Sequence, residues 1–205
     1  MYIVDDDFRV RESLSALLRA YGKHVVPFAS GQEFLQHPRQ DDCACVLLDL
    51  SMPSMSGLEV QQQVTSRAAM PVIFITGRGD VPSTVQAMKG GAVDFLTKPL
   101  DEISLLAAID AALARDRQWR AEQHEQAQLR TLYTSLTPRE QQVLVLLVNG
   151  MLNKQAAGEL GITEYTVQVH RGHIMKKLRA KSFAALVQFA SKLPTDLVPP
   201  PSNHS

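Results

Sequence analysis

Asp49 carries the first chemical signal in the chain. It ends the apolar run Cys45-Val46-Leu47-Leu48 and is followed by Leu50-Ser51-Met52-Pro53-Ser54-Met55-Ser56-Gly57. A short, wholly apolar run predicts a strand buried on both faces of a parallel sheet. The Ser, Pro and Gly beyond it predict a loop. Asp49 then stands at the C-terminal end of its strand, the edge where open α/β sheets bind ligands. Other reactive groups close neighbouring candidate strands. Asp5, Asp6 and Asp7 follow Tyr2-Ile3-Val4, Thr76 ends Val72-Ile73-Phe74-Ile75, and Lys98 follows Asp94-Phe95-Leu96-Thr97. Close carboxylates repel, and a hard divalent cation such as Mg²⁺ relieves that repulsion with oxygen ligands. An aspartate beside it can attack phosphorus and form an aspartyl phosphate. A hydroxyl and an ammonium on the far side would hold the remaining phosphoryl oxygens. Any one of these residues alone reads as an ordinary surface group. Together, at the ends of strands one, three, four and five, they predict a phosphoryl acceptor.

The elements that must position this set alternate along the front half. Phe8, Val10, Leu14, Leu17 and Leu18 recur at helical spacing and stop at Gly22. His24 to Phe28 predicts a second strand, at a sheet edge because it holds Pro27. Ser30-Gly31-Gln32-Glu33 has the form of a capping box and opens a second helix. Further helices are expected from Gly57 to about Ser66, from about Val81 to Lys89, and from near Asp101 onward. A Gly-Arg-Gly-Asp loop follows Thr76, and Lys98-Pro99 ends the fifth strand. Five βα units predict a parallel sheet with helices on both faces. No G-x-G-x-x-G follows the first strand, which excludes a dinucleotide-binding fold.

The totals suit an ordinary globular chain. It has 205 residues, 45% hydrophobic and 20% charged, with a formal net charge of zero. That zero hides an asymmetry. Residues 1–114 hold 9 Lys/Arg against 14 Asp/Glu, a balance of −5, whereas residues 137–205 hold 8 against 4, a balance of +4. An acidic front and a basic back predict two domains with different partners. The first strand begins almost at residue 1, as a trimmed or unusually short terminus would have it. No basic, apolar, small-residue leader opens the sequence, and the longest apolar run, Val143 to Val148, is far too short for a membrane span. Cys43 and Cys45 are too few and too close for a disulfide framework. A cytoplasmic location is the expectation.

Residues 115–136 contain no Gly or Pro and many good helix formers, so they extend the fifth helix. Thr137-Pro138-Arg139-Glu140 then supplies a cap, a proline at the first helical position and an acid three residues after the cap. Helices are expected through Val148, from Lys154 to Leu160, from Glu164 to Leu178 and from Ser182 to about Lys192. The pair around Gly161-Ile162-Thr163 forms a helix-turn-helix. Val167, Ile174 and Leu178 share one face of its second helix. Gln168, Arg171, Met175 and Lys176 lie on the other, with His170, His173, Lys177 and Arg179 nearby. Exposed amides and cations suit a DNA major groove and its phosphates. From charge alone, a helical bundle with a solvated face reads equally well.

Residues 1–114 resemble the receiver domain of two-component response regulators, a doubly wound α/β fold with sheet order 2-1-3-4-5. The resemblance implies Asp49 as phospho-acceptor. It implies Asp5, Asp6, Asp49 and the Ser51 backbone carbonyl as Mg²⁺ ligands, and Thr76 and Lys98 as the groups that meet the phosphoryl oxygens. Phe95 takes the switch-aromatic position. Phosphorylation is then expected to remodel the face of helix four, strand five and helix five and to form a homodimer through it. Leu136-Thr137-Pro138-Arg139-Glu140, Asn153-Lys154, Ala156-Ala157, Leu160-Gly161-Ile162-Thr163, Thr166-Val167, Val169-His170 and Lys177-Leu178 resemble the LuxR-type effector domain, an all-α four-helix unit.

The plan implied is a receiver at 1–114, a helical linker at 115–135, the helix-turn-helix domain at 136–193 and a Pro-rich tail at 194–205. The whole resembles a FixJ-type response regulator, nearest in look to the styrene- and toluene-degradation regulators. That likeness implies a sensor histidine kinase as phosphoryl donor, promoter DNA as ligand, RNA polymerase as a further partner and no membrane attachment. Gln168, Val169 and Gly172 would face bases. Lys154, Thr163, Thr166, Arg171 and Lys177 would position the backbone. Relatives often carry Lys at the position of Gln168 and a larger residue at that of Gly172; an amide favours adenine over guanine, and Gly172 offers no side chain. The expectation is a phospho-accepting transcription factor, not an enzyme. An aspartyl-phosphate phosphatase would need a second acid two residues after its nucleophile, where this chain has Ser51. A regulator whose receiver works without phosphorylation is the other alternative.

Overall fold

A computed structural model describes residues 1–38, 42–68, 70–77, 81–194 and 197. The chain divides into two compact units, Met1–Arg120 and Ala121–Ser205. Most of the expected Gly-Arg-Gly-Asp loop and nearly all of the expected Pro-rich tail lie outside the described residues.

The first unit alternates β1 (Tyr2–Val4), α1 (Phe8–Ala20), β2 (Val26–Phe28), α2 (Gly31–Gln36), β3 (Val46–Asp49), α3 (Gly57–Ala68), β4 (Val72–Thr76), α4 (Val81–Lys89), β5 (Asp94–Thr97) and the start of α5 (Glu102–Thr134). All neighbouring strands are parallel, in the order β2-β1-β3-β4-β5. Strands β1, β3 and β4 are buried throughout, as continuous apolar runs in a doubly covered sheet require. Alternate side chains feed two cores. Tyr2, Val4, Val46, Leu48 and Phe74 meet Phe34, Val60, Val64 and Ala87 from α2, α3 and α4. Ile3, Leu47, Ile73 and Ile75 meet Leu14, Leu18, Leu105 and Ile109 from α1 and α5. Strand β2 is shorter than expected. It begins at Val26, and Pro27, which has no N–H, sits on the sheet's edge.

Caps hold the sheet-edge loops. Asp7 accepts the Arg9 amide at 2.8 Å and starts α1. Ser30 accepts the Glu33 amide at 3.2 Å and starts α2. Helix α5 runs unbroken for 33 residues and absorbs the expected linker. Within the first unit, the fully buried Asp116 accepts the Ala44 amide at 3.0 Å and the Arg120 guanidinium at 2.8 Å. This ties α5 to the segment that leads into β3.

The second unit packs α6 (Pro138–Val148), α7 (Asn153–Leu160), α8 (Glu164–Lys177) and α9 (Phe183–Ser191) around one core. Val143, Leu144, Leu147, Val167, Ile174 and Leu186 are essentially inaccessible. Gly161 caps α7 with φ +63°, left-handed backbone that glycine takes without penalty, and so makes the turn into α8.

Candidate phosphoryl site and candidate nucleic-acid interface

Asp5, Asp6, Asp7, Asp49, Ser51, Thr76, Gly77 and Lys98 line one cleft of about 200 Å³ at the C-terminal edge of the sheet. Strand ends bring them there. Asp49 ends β3, Asp5 follows β1, Thr76 ends β4 and Lys98 follows β5, with the Lys98–Pro99 peptide bond cis. Asp5, Asp49 and Thr76 are buried. The Lys98 ammonium donates to Asp5 Oδ2 at 2.7 Å and to Asp49 Oδ1 at 2.9 Å. The other Asp49 oxygen accepts the Ser51 amide at 2.8 Å. Asp5 Oδ1 accepts the Asp7 amide at 2.9 Å, and the Arg11 guanidinium donates to the Asp5 carbonyl at 2.6 Å.

Burial pushes the Asp49 carboxyl above its ordinary range, against the pull of Lys98 and the Ser51 amide. Burial pulls the Lys98 ammonium down, but its bonds to Asp5 and Asp49 outweigh that and leave it raised. A carboxylate stripped of most of its water is a competent nucleophile, and a fixed ammonium beside it can accept developing phosphoryl charge. Among the described residues, no three His, Cys, Asp or Glu side chains gather into a ready-made metal cage. The oxygens present still fit Mg²⁺ in kind. That ion needs only one or two carboxylates and keeps waters and phosphoryl oxygens for its other positions, and the exposed Asp6 borders the same cleft.

Phe95 is half-buried on β5 and packs on Phe74 with ring centroids 6.2 Å apart. Gly57 matters for a reason its loop setting does not announce. A Cβ there would strike the Asp49 carbonyl oxygen and press on the Phe74 ring. Glycine therefore lets α3 start directly under the end of β3.

In the second unit, α8 presents Gln168, Val169, Gly172, His173 and Lys176 to solvent, while Val167 and Ile174 are buried beneath. Open space surrounds the Gly172 Cβ position. Thr163 caps α8 by accepting the Thr166 amide at 3.2 Å, and the two hydroxyls lie 2.8 Å apart. Lys154 and Arg171 border one cavity beside α7. Lys177, expected at the DNA backbone, has a second neighbour. Its ammonium donates to the buried Glu140 at 2.6 Å, across from α8 to the first turn of α6. Its charge already has a partner within the fold.

Residues 1–110 match the family described as response regulator receiver domain, and residues 134–190 match bacterial regulatory proteins of the luxR family. The chain belongs to the response regulators. This response regulator is 47% identical to "Nodulation protein W" of Bradyrhizobium diazoefficiens over 194 residues, 94% of this chain and 86% of the relative. It is 41% identical to "Transcriptional regulatory protein FixJ" of Azorhizobium caulinodans over 191 residues, 93% and 90% of the two chains. Among solved structures, the response regulator StyR superposes with a TM-score of 0.85 at 49% identity, over 93% of this chain and 97% of that one. The response regulator thus joins a receiver to a LuxR-type DNA-binding domain, in a family of transcriptional regulators and not of enzymes. Receiver and helix-turn-helix together imply a kinase and DNA as partners. Among the described residues, no helix is long and apolar enough to cross a membrane.

Arg11, Gly57 and Asp116 support the receiver site or its strand but were not legible as site residues. Arg11 resembles any surface cation on α1. Only a Gly that opens a helix directly after a Ser/Pro loop hinted at Gly57.

Proposed function

We propose that Asp49 accepts a phosphoryl group from a phosphohistidine of a sensor kinase, and that the modified receiver dimerises and places two α8 helices on promoter DNA. The observation that carries this reading is the Lys98 ammonium held between Asp5 and Asp49 at the sheet edge. As the bond from an Asp49 oxygen to phosphorus forms, the bond from phosphorus to the histidine nitrogen breaks and the imidazole leaves. Lys98 and Thr76 then stand beside the new phosphoryl oxygens. Asp5, Asp6, Asp49 and the Ser51 carbonyl would hold Mg²⁺, whose chemistry is to neutralise charge on the transferring group. Phe95, on the strand next to Thr76, would report the change to the α4–β5–α5 face.

That face has the composition of a contact surface. Val81, Val85 and Met88 recur on one side of α4 and are exposed, Val81 at 76%, and Ile103 on α5 is 79% exposed. In the DNA-bound dimer, Gln168, Val169 and Gly172 face bases, while Lys154, Thr163, Thr166 and Arg171 position the sugar–phosphate backbone. Lys177 serves mainly to hold α8 against α6. The site of action is the cytoplasm, where the dimer would meet RNA polymerase.

Intact mass after incubation with acetyl phosphate and Mg²⁺ tests the acceptor. One phosphoryl adduct is expected on the wild type and none on Asp49→Asn. An adduct on the variant removes Asp49 from the role. The variant should also melt higher at pH 7. A carboxyl raised in the folded state contributes stability that is fully present below its unfolded pKa and lost as pH rises through its folded one. A neutral amide escapes that loss. Size measurement with and without acetyl phosphate tests the dimer.

Lys177→Ala separates anchoring from phosphate contact. It should lower the melting temperature of the second unit. The dependence of log affinity on log salt should keep its slope, whereas loss of a phosphate contact would reduce it by about 0.9.

A further inference from the structure

Arg171 reaches out from α8 without an acidic partner. Among the described residues, no hydrogen bond or ion pair is made by its guanidinium, yet the side chain is half-buried. What it meets is an aromatic face. The Arg171 guanidinium carbon lies 5.0 Å from the centroid of the Phe183 ring, inside the range of a cation–π contact. Phe183 is the first residue of α9, and Ser182 caps that helix by accepting the Ala185 amide at 3.1 Å. The capped first turn fixes where the ring stands. At 36% exposure, the ring fills no core position of the kind held by Leu186, which is fully buried on the same helix. Lys154, Glu164, Arg171 and Phe183 border the same cavity of about 500 Å³. Glu164 thus shares that cavity with Arg171.

We propose that Phe183 is a positioning residue for DNA binding: its ring holds the Arg171 guanidinium outstretched and unpaired, so that the cation meets a DNA phosphate already ordered. The proposal rests on the reading of Arg171 as a backbone contact. Its physical basis is general. A guanidinium is planar, weakly hydrated and well suited to stacking on an aromatic face while its edge N–H groups remain free for phosphate oxygens. An arginine without such a platform surrenders its rotamer freedom on binding. It would also be free to fold back on Glu164, which competes directly with phosphate.

The test is a double-mutant cycle on the full chain, read by titration of a labelled random-sequence duplex, because phosphate contacts do not depend on sequence. Arg171→Ala should weaken binding and lower the salt slope by about 0.9. Phe183→Leu keeps apolar bulk without the ring and should weaken binding about two- to fivefold. Phe183→Trp, which offers a better cation–π face, should bind at least as tightly as the wild type. In an Arg171→Ala background, Phe183→Leu should have no further effect. A full additive loss there would overturn the proposal, since the ring would be acting independently of Arg171. If Arg171→Ala changes neither affinity nor slope, the backbone reading of Arg171 fails, and the positioning role fails with it. If Arg171→Ala weakens binding and Phe183→Leu does not, only the positioning role fails. Should Phe183→Leu melt lower than the wild type, Phe183→Trp and Arg171→Gln decide. The glutamine carries no charge for the ring to attract, so replacing Phe183 by Trp should change nothing in that background.

Discussion

Lys98→Met is expected to cost the first unit about 3–5 kcal/mol at pH 7, the usual penalty for removing one partner of a buried ion pair. The same variant should take up no detectable phosphoryl group. The side chain keeps its length and apolar stem but loses the only ammonium that lies between Asp5 and Asp49 among the described residues. Two buried carboxylates then face each other. The loss should depend on pH with a definite sign. The Asp49 carboxyl is already raised by burial, and without Lys98 it rises further. Its protonated form carries stability that is present at acid pH and lost as pH climbs through the raised value. The gap between variant and wild type should therefore narrow as pH falls, and Mg²⁺ should raise the variant's melting temperature more than that of the wild type. Melting curves at several pH values, with and without Mg²⁺, read both effects. A deficit that stays constant across pH would mean that the lysine stabilises by packing and not by charge.

Glu140→Ala should destabilise the second unit through two contacts at once. The Glu140 side chain closes the cap of α6 by accepting the Thr137 amide at 2.7 Å and also holds the Lys177 ammonium at 2.6 Å. It is buried while doing so. Loss of the cap is worth about 1 kcal/mol, and loss of the ion pair, whose Lys177 end is part-exposed and can turn to water, about 1 kcal/mol more. Against a total of about 5–15 kcal/mol for a typical domain, the helix-turn-helix should melt measurably lower while phosphoryl uptake at Asp49 continues. Glu140→Gln divides the effect, because an amide can still accept the Thr137 N–H but carries no charge for Lys177. Burial alone would raise the Glu140 carboxyl, but Lys177 and Thr137 hold it below its ordinary value of 4.5. That contribution is complete above the unfolded pKa and disappears as pH falls through the folded one, so acid should melt the second unit in the region below 4.5. Circular dichroism with parallel DNA titration measures it. Full DNA affinity and an unchanged melt for Glu140→Ala would reduce the pair to a surface contact.

The sheet and the cleft at its edge were legible because both are written in short, local patterns. Apolar runs of three to five residues lead into Asp5, Asp49 and Thr76, and the short strand Asp94-Phe95-Leu96-Thr97 leads into Lys98, and parallel connection puts all the ends on one edge. Caps at Ser30 and Thr137 were legible for the same reason. What was not legible depends on distance in sequence. Nothing near Lys177 says that its partner lies 37 residues earlier, and basic residues on a helix of a DNA-binding unit invite a phosphate reading by default. The Gly57 requirement comes from a carbonyl eight residues away whose position follows only from the packed α3–β3 junction. Arg171 and Phe183 belong to different helices, so neither residue's own helical periodicity reveals the stack between them.

Gly172 is the one glycine inside α8. Glycine in a helix interior sacrifices about 1 kcal/mol relative to alanine, and here no neighbour demands the missing side chain. With α8 placed in the groove as proposed, a position that the scaffold leaves open on the exposed face of this helix is a blank in the address the regulator reads. Duplicated copies of such a gene could diverge in target by filling that blank, with the fold gaining stability in the same step, so that a new promoter preference would arrive without the destabilisation that usually accompanies new function.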